Sequence, residues 1–101
     1  MTSIKVLKEN EKVINIEIKG HTNYENIGKD IVCASISSIV TTTVNAIIRI
    51  NEEAILYDIK DGYMNIQILN HDKYIDILIT NMIDLLKELA NNYPKNVKIN
   101  I

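Results

Sequence analysis

Apolar and polar residues alternate with a period of two at the start of the chain. Ile4 and Val6 flank Lys5 within residues 3–8. After a polar turn at Glu9, Asn10 and Glu11, the run 13–19 sets Ile14, Ile16 and Ile18 on one face and Asn15, Glu17 and Lys19 on the other. This predicts a β-hairpin with one buried face. Gly20 ends its second strand. Residues 20–30 are polar and bracketed by Gly20 and Gly28, which predicts a loop with hinge-capable ends. Asp30 is a good N-cap, and a long helix is expected from about residue 31 to 49. Its many β-branched residues weaken it on its own, so it needs tertiary packing. A second hairpin follows, with residues 54–60 and 63–69 on either side of the turn pair Asp61-Gly62. Ile75, Leu78, Ile79, Met82, Leu85, Leu86 and Leu89 then recur at helical spacing behind a capping Asp72, and Tyr93-Pro94 closes that helix. Val97, Ile99 and Ile101 alternate as a last strand. The order is β-β-α-β-β-α-β: an α+β fold, a largely antiparallel sheet packed with two main helices, in a single domain over residues 1–101.

Composition sharpens this picture in three places. The five aromatic residues are all Tyr, so the core is aliphatic, which suits β-branched strand packing. The formal net charge is -2, with no dense Lys/Arg cluster, so a nucleic-acid partner is not expected. The single cysteine excludes an internal disulfide and fits a reduced cytoplasm. Residues 31–48 carry no charge over about the length of a membrane span. Ser35, Ser37, Ser38, Thr41, Thr42, Thr43 and Asn45 lower its hydropathy, so it reads as a buried or interface helix and no membrane partner is expected.

That single cysteine, Cys33, follows Gly20-His21 by a short interval. An imidazole that takes a thiol proton, and a thiolate that attacks a carbonyl, are what a cysteine hydrolase needs. With Asp30 as cap, Cys33 would be the third helical residue, near unpaired amides and the positive end of the helix dipole. That setting favours the thiolate and offers donors to an oxyanion, while the Asp30 carboxylate opposes it. Asp30, Cys33, Ser37 and Thr41 share one helix face. Ser37 could bind substrate, orient His21, or merely bond a helix carbonyl. Tyr24 could pack the loop or hold a substrate. A lone cysteine is otherwise most often an inert small core residue. A zinc site from His21, Cys33, Asp30 and His71 lacks any ligand-pair spacing and is set aside, so neither metal nor other cofactor is expected. His71 beside the Asp72 cap reads as structural.

The run Gly20-His21-x-x-Tyr24-x-x-x-Gly28-x-Asp30-Ile31-Val32-Cys33-Ala34-x-x-Ser37 resembles the signature of the ribosomal-processing cysteine protease family Prp, also called YsxB-like. The resemblance extends over nearly the whole chain. It implies a cytoplasmic, homodimeric endopeptidase that removes an N-terminal extension from large-subunit ribosomal protein L-twenty-seven. It further implies His21 as general base, Cys33 as nucleophile, Asp30 and Ser37 as supporting residues, and Gly20 as the point where the loop over the site flexes. Thr22 stands where the family usually has Ala, Ser35 replaces another small residue, and the stretch after Ser37 is unusually rich in threonine. Two rival readings differ in chemistry. A non-catalytic assembly factor would hold the same peptide without cutting it, and a small thioesterase would use the same dyad on an acyl group.

Overall fold

The computed structural model describes residues 1–20, 27–60 and 62–101, with residues 27–30 described by their backbone. The elements are β1 (Thr2–Glu9), β2 (Lys12–Lys19), α1 (Ile27–Ile50), β3 (Ile55–Lys60), β4 (Tyr63–Ile68), α2 (Lys73–Asn92) and β5 (Val97–Asn100), in the predicted order. The five strands form one mixed sheet in the spatial order β3-β4-β2-β1-β5. The three pairings β1–β2, β2–β4 and β3–β4 are antiparallel, and β5 adds parallel to β1.

Register explains why only one face of the sheet is apolar. Val6, Ile16, Ile66 and Tyr57 lie side by side in one row, and Ile99, Ile4, Ile18, Met64 and Ile59 in the next. The intervening row, Asn100, Lys5, Glu17, Asn65 and Asp58, points the other way and carries the polar residues. Both helices therefore cover the same face. Val32, Ile36, Val40, Val44 and Ile47 of α1 and Ile75, Ile79, Met82, Ile83 and Leu86 of α2 are buried against the strand residues in one core cluster. This places the charge-free helix as expected. By length and composition its segment Ile31–Ile50 matches a membrane span, but its buried ridge is part of the core.

The turn between β1 and β2 shows what the chain tolerates. Asn10 and Glu11 both have positive φ, 53° and 67°. This is the backbone of the tight hairpin turn that matches strand twist, and its second position favours glycine. Glu11 is exposed and bears the cost of the left-handed region. Glu11→Gly is expected to stabilise the fold by about 1 kcal/mol, the strain relieved exceeding the added flexibility of the unfolded chain. A thermal melt that moves down instead would show that the turn is unstrained. The second hairpin turns at Gly62, φ 74°, as predicted, while Asp61 lies outside the described residues.

α2 begins as its sequence dictates. The Asp72 carboxylate accepts from the amides of Tyr74 and Ile75, each at 2.9 Å. One turn on, Asp76 accepts from Lys12 Nζ at 3.2 Å and from His71 Nδ1 at 3.1 Å. A carboxylate can only accept, so His71 Nδ1 carries the hydrogen. Asp76 thus joins the start of α2 to the start of β2, and His71 is held within this cluster, consistent with its structural reading. Partial burial works to raise the Asp76 pKa. The hydrogen bonds and charges of His71 and Lys12 outweigh it and hold the carboxyl below its ordinary value of 3.8. A depressed folded value means that Asp76 adds stability above its ordinary value and loses it as pH falls through the lower folded one. Asp76→Asn should therefore lower the Tm at neutral pH by a small amount, since the pair is near the surface, and the gap to wild type should close in strong acid. A gap independent of pH would assign the loss to packing.

Candidate active site

The elements that carry the predicted chemistry meet at one end of the sheet. β2 runs toward Lys19 and Gly20, beside the end of β3 and the start of β4. α1 then returns antiparallel to β2 and delivers the chain to β3 at the far end. The first turns of α1 thus lie at this end of the sheet.

Gly20 is anchored in this corner. Its amide donates to the Gly62 carbonyl at 3.1 Å, tying the end of β2 to the β3–β4 turn. A Cβ at position 20 would lie 2.5 Å from Thr2 Cα and 2.8 Å from the Met1 carbonyl oxygen. These are backbone atoms that cannot swing aside. The glycine is therefore required by close approach to β1, a structural reason that loop flexing does not supply.

α1 begins at Ile27, four residues before the expected start. Three predictions change with it. Gly28 is in the first turn of the helix and does not bracket a loop. Asp30 is the fourth residue of the helix and is not its N-cap. Cys33 is the seventh residue, not the third, so its amide lies within the helical ladder and beyond the four unpaired donors of the first turn. The polar, glycine-containing start reads as loop because glycine and aspartate are poor helix formers. The apolar ridge from Val32 onward, locked into the core, favours continuing the helix back over them.

Cys33 and Ser37 are half-buried, one turn apart, on the same flank of α1. The other flank is set by α2. Ile31, Ala34, Ser35, Ser38 and Ile39 line an open groove of about 600 Å³ shared with Leu85, Leu89 and their neighbours on α2. At about 100° per residue, Cys33 and Ser37 lie about 120° or more around the helix from Ile31, Ser35 and Ile39. α2 packs along β5 and β2, so the Cys33 flank faces the β4–β3 side of the sheet. Among the described residues, the Ser35 hydroxyl donates to the Ile31 carbonyl at 2.8 Å and the Thr43 hydroxyl to the Ile39 carbonyl at 2.9 Å. Thr41 is exposed farther along the helix. His21 and Tyr24 lie outside the described residues, as do the side chains of residues 27–30. Among the described residues, no group of three or more His, Cys, Asp or Glu is placed to hold a metal ion.

The chain as a whole matches known proteins. Residues 1–98 match the family model described as cysteine protease Prp. The chain belongs to the Prp family of cysteine proteases. The ribosomal processing cysteine protease Prp of Staphylococcus aureus is 31% identical over 93 residues, spanning 88% of this chain and 87% of that protein. A crystal structure of the S. aureus Prp protease with a substrate peptide superposes with a TM-score of 0.89 at 25% identity, covering 99% of this chain and 98% of that one. A second, with a covalently linked product peptide, superposes with a TM-score of 0.86 at 25% identity and the same coverage. The Prp fold is therefore present here from end to end, and this Prp chain is a cysteine protease.

The alternation also holds a feature of the sheet that the motif does not contain. Ile55, Tyr57 and Ile59 of β3 share the core-facing side with Met64, Ile66 and Ile68 of β4. Ile55 is buried, whereas Tyr57 is 52% and Ile59 39% exposed. Their period of two was visible in the sequence. That Tyr57 and Ile59 stand exposed was not.

Proposed function

We propose that this protease removes the N-terminal extension of the precursor of large-subunit ribosomal protein L-twenty-seven, with Cys33 as nucleophile and His21 as general base. The observation that carries the reading is that a member of a cysteine protease family has one cysteine, Cys33. It is half-buried, on the flank of α1 that faces the uncovered side of the sheet. The anchoring of Gly20 supports the partnership with His21. Gly20 is held at the end of the sheet where α1 begins, and His21 is the next residue. Cys33 is about 9 Å up the helix axis from Ile27. The link from Gly20 to Ile27 spans at most about 24 Å, so it is long enough to bring an imidazole over Cys33 and short enough to keep it at this end of the sheet.

In the proposed cycle, His21 takes the Cys33 proton as the thiolate adds to the scissile carbonyl. His21 then gives that proton to the departing amine. The resulting thioester is hydrolysed by a water that His21 deprotonates, restoring the thiol. Ser37, one turn from Cys33 on the same flank, is assigned to substrate contact or imidazole orientation. Tyr24 is assigned to substrate contact and Asp30 to support of the site. The enzyme works in the cytoplasm as a homodimer. The exposed side of α1 supports the dimer, since it offers Ile31, Ala34, Ser38, Thr41, Thr42 and Asn45 without a charge.

Mass spectrometry of the precursor ribosomal protein, incubated with wild type and with Cys33→Ala, tests the reading. One defined N-terminal cut by wild type alone is expected. A stable complex without a cut in either sample would favour the peptide-binding assembly factor. Turnover of small thioesters with the precursor left intact would favour the thioesterase.

A further inference from the structure

Both helices cover one face of the sheet, and on the other face strand pairing sorts the charge into rows. Lys98 of β5, Ser3 of β1, Lys19 of β2, Tyr63 of β4 and Lys60 of β3 lie side by side in the row at the Gly20 end. That row holds three lysines and no carboxylate. The next row adds Lys5 together with Glu17 and Asp58, and the third is uncharged. Along the chain these four lysines are spread from position 5 to position 98, so no cluster shows in the sequence. Pairing brings them together. Strands are about 4.8 Å apart, so Lys98, Lys19 and Lys60, on alternate strands, are spaced by about 10 Å along a strip of about 19 Å. All four lysines are exposed, and Lys19 Nζ is 6.0 Å from the centre of the half-buried Tyr63 ring. Lys60 pairs with Asp58 at 3.2 Å and Lys19 with Glu17 at 3.8 Å. Exposed pairs of this kind contribute little, so they give way to a stronger anion.

We infer that this row is a docking surface for single-stranded RNA, with phosphates along the lysines and a base stacked on Tyr63. The row lies on the face of the sheet opposite α1 and Cys33, so the inference does not rest on the protease chemistry. Net charge argues against nucleic acid only while the position of each charge is unknown. The ring decides the occupant. A basic row with an aromatic residue set into it suits a strand that alternates phosphates with flat bases. Lys19 rests over that ring, and its long chain lets it turn to a phosphate as a base takes its place. An acidic peptide would use the lysines and leave the ring idle. A lipid surface would press Glu17 and Asp58 of the neighbouring row against anionic headgroups. Ser3, in the row, and Asn65 and Asn100, beside it, offer hydrogen bonds to the ribose 2′-hydroxyl.

The experiment measures fluorescence anisotropy of a labelled uridine oligomer of about ten nucleotides with the full chain, from about 50 to 200 mM salt. Its variants are Lys60→Gln, Lys98→Gln and Tyr63→Leu, with Lys87→Gln on α2 as the control, and circular dichroism checks each fold. The plot of log K against log salt should fall with a slope of about -2, as three neutralised phosphates require. Each row lysine replaced should weaken binding severalfold and flatten the slope by about 0.7. Tyr63→Leu should weaken it about tenfold with the slope unchanged. Lys87→Gln should change nothing, and the deoxyribose version of the strand should bind several times more weakly. Precursor cleavage by Lys60→Gln and Lys98→Gln should match wild type. No binding at the lowest salt would overturn the inference, as would a loss in Lys87→Gln equal to that in the row variants. Equal affinity for the deoxyribose strand would overturn the assignment to RNA. Polyglutamate bound as tightly as RNA, with Tyr63→Leu without effect on either, would overturn it in favour of an acidic protein partner.

Discussion

Cys33→Ala should reduce kcat/KM on the precursor by about 10⁴-fold or more, to the level of background hydrolysis. Removal of the attacking atom eliminates the covalent route outright, and the binding and orientation that remain give only a small residual acceleration. The fold should tolerate the change. Cys33 is half-buried on the flank of α1, outside the core cluster, so little apolar surface and no large cavity are at stake. Alanine is also the better helix former at a position well inside α1. A shift in stability within about 1 kcal/mol is expected, with peptide affinity retained. The decisive pair of measurements is a single-turnover assay and a thermal melt on the same preparation. Retained cleavage would remove Cys33 from the nucleophile's role, and with it the argument from the single cysteine. Loss of cleavage accompanied by a large fall in Tm would make the result uninterpretable as chemistry, and Cys33→Ser, which keeps shape and polarity, then separates the two effects.

Gly20→Ala should be the most damaging conservative change outside the core. A methyl group there would meet Thr2 Cα at 2.5 Å and the Met1 carbonyl oxygen at 2.8 Å, so β1 and the end of β2 would have to part. Overpacking against atoms that cannot rotate away costs about 1–3 kcal/mol, which for a domain of this size lowers Tm by roughly 5–20 °C. The damage would not stop at stability. The Gly20 amide bonds the Gly62 carbonyl, and the next residue is His21, so displacement here moves the root of the segment that carries the proposed base. Catalysis should fall further than the loss of folded protein explains. If Gly20 were needed chiefly as a hinge, Gly20→Ala would slow turnover while leaving the melting temperature in place.

Most of this architecture is legible in local pattern. Strict alternation on β1, β2, β4 and β5 encodes which face is buried, because side chains of a strand leave it on alternate sides whatever lies around it. Asp72, the apolar stripe from Ile75 to Leu89 and the turn glycine at 62 each act within one or two turns of chain, so their effects are readable where they stand. The motif around Cys33 likewise indicates the family by itself, since the residue types needed for thiol chemistry are fixed by that chemistry.

What the sequence alone did not determine is whatever depends on distant partners. Residues 27–30 look like loop, and their joining α1 depends on the core that holds the ridge Val32, Ile36, Val40, Val44 and Ile47, assembled from all five strands and both helices. That shift of four residues moved Cys33 out of the first helical turn and removed the expected link between its thiol and the unpaired helix amides. The reason for Gly20 is in Met1 and Thr2, which come close only because β1 and β2 pair. Tyr57 and Ile59 share the apolar side of the sheet yet stand exposed, on the edge strand β3. Local sequence decides which side of a strand is apolar. Only the packed molecule decides which part of that side is covered.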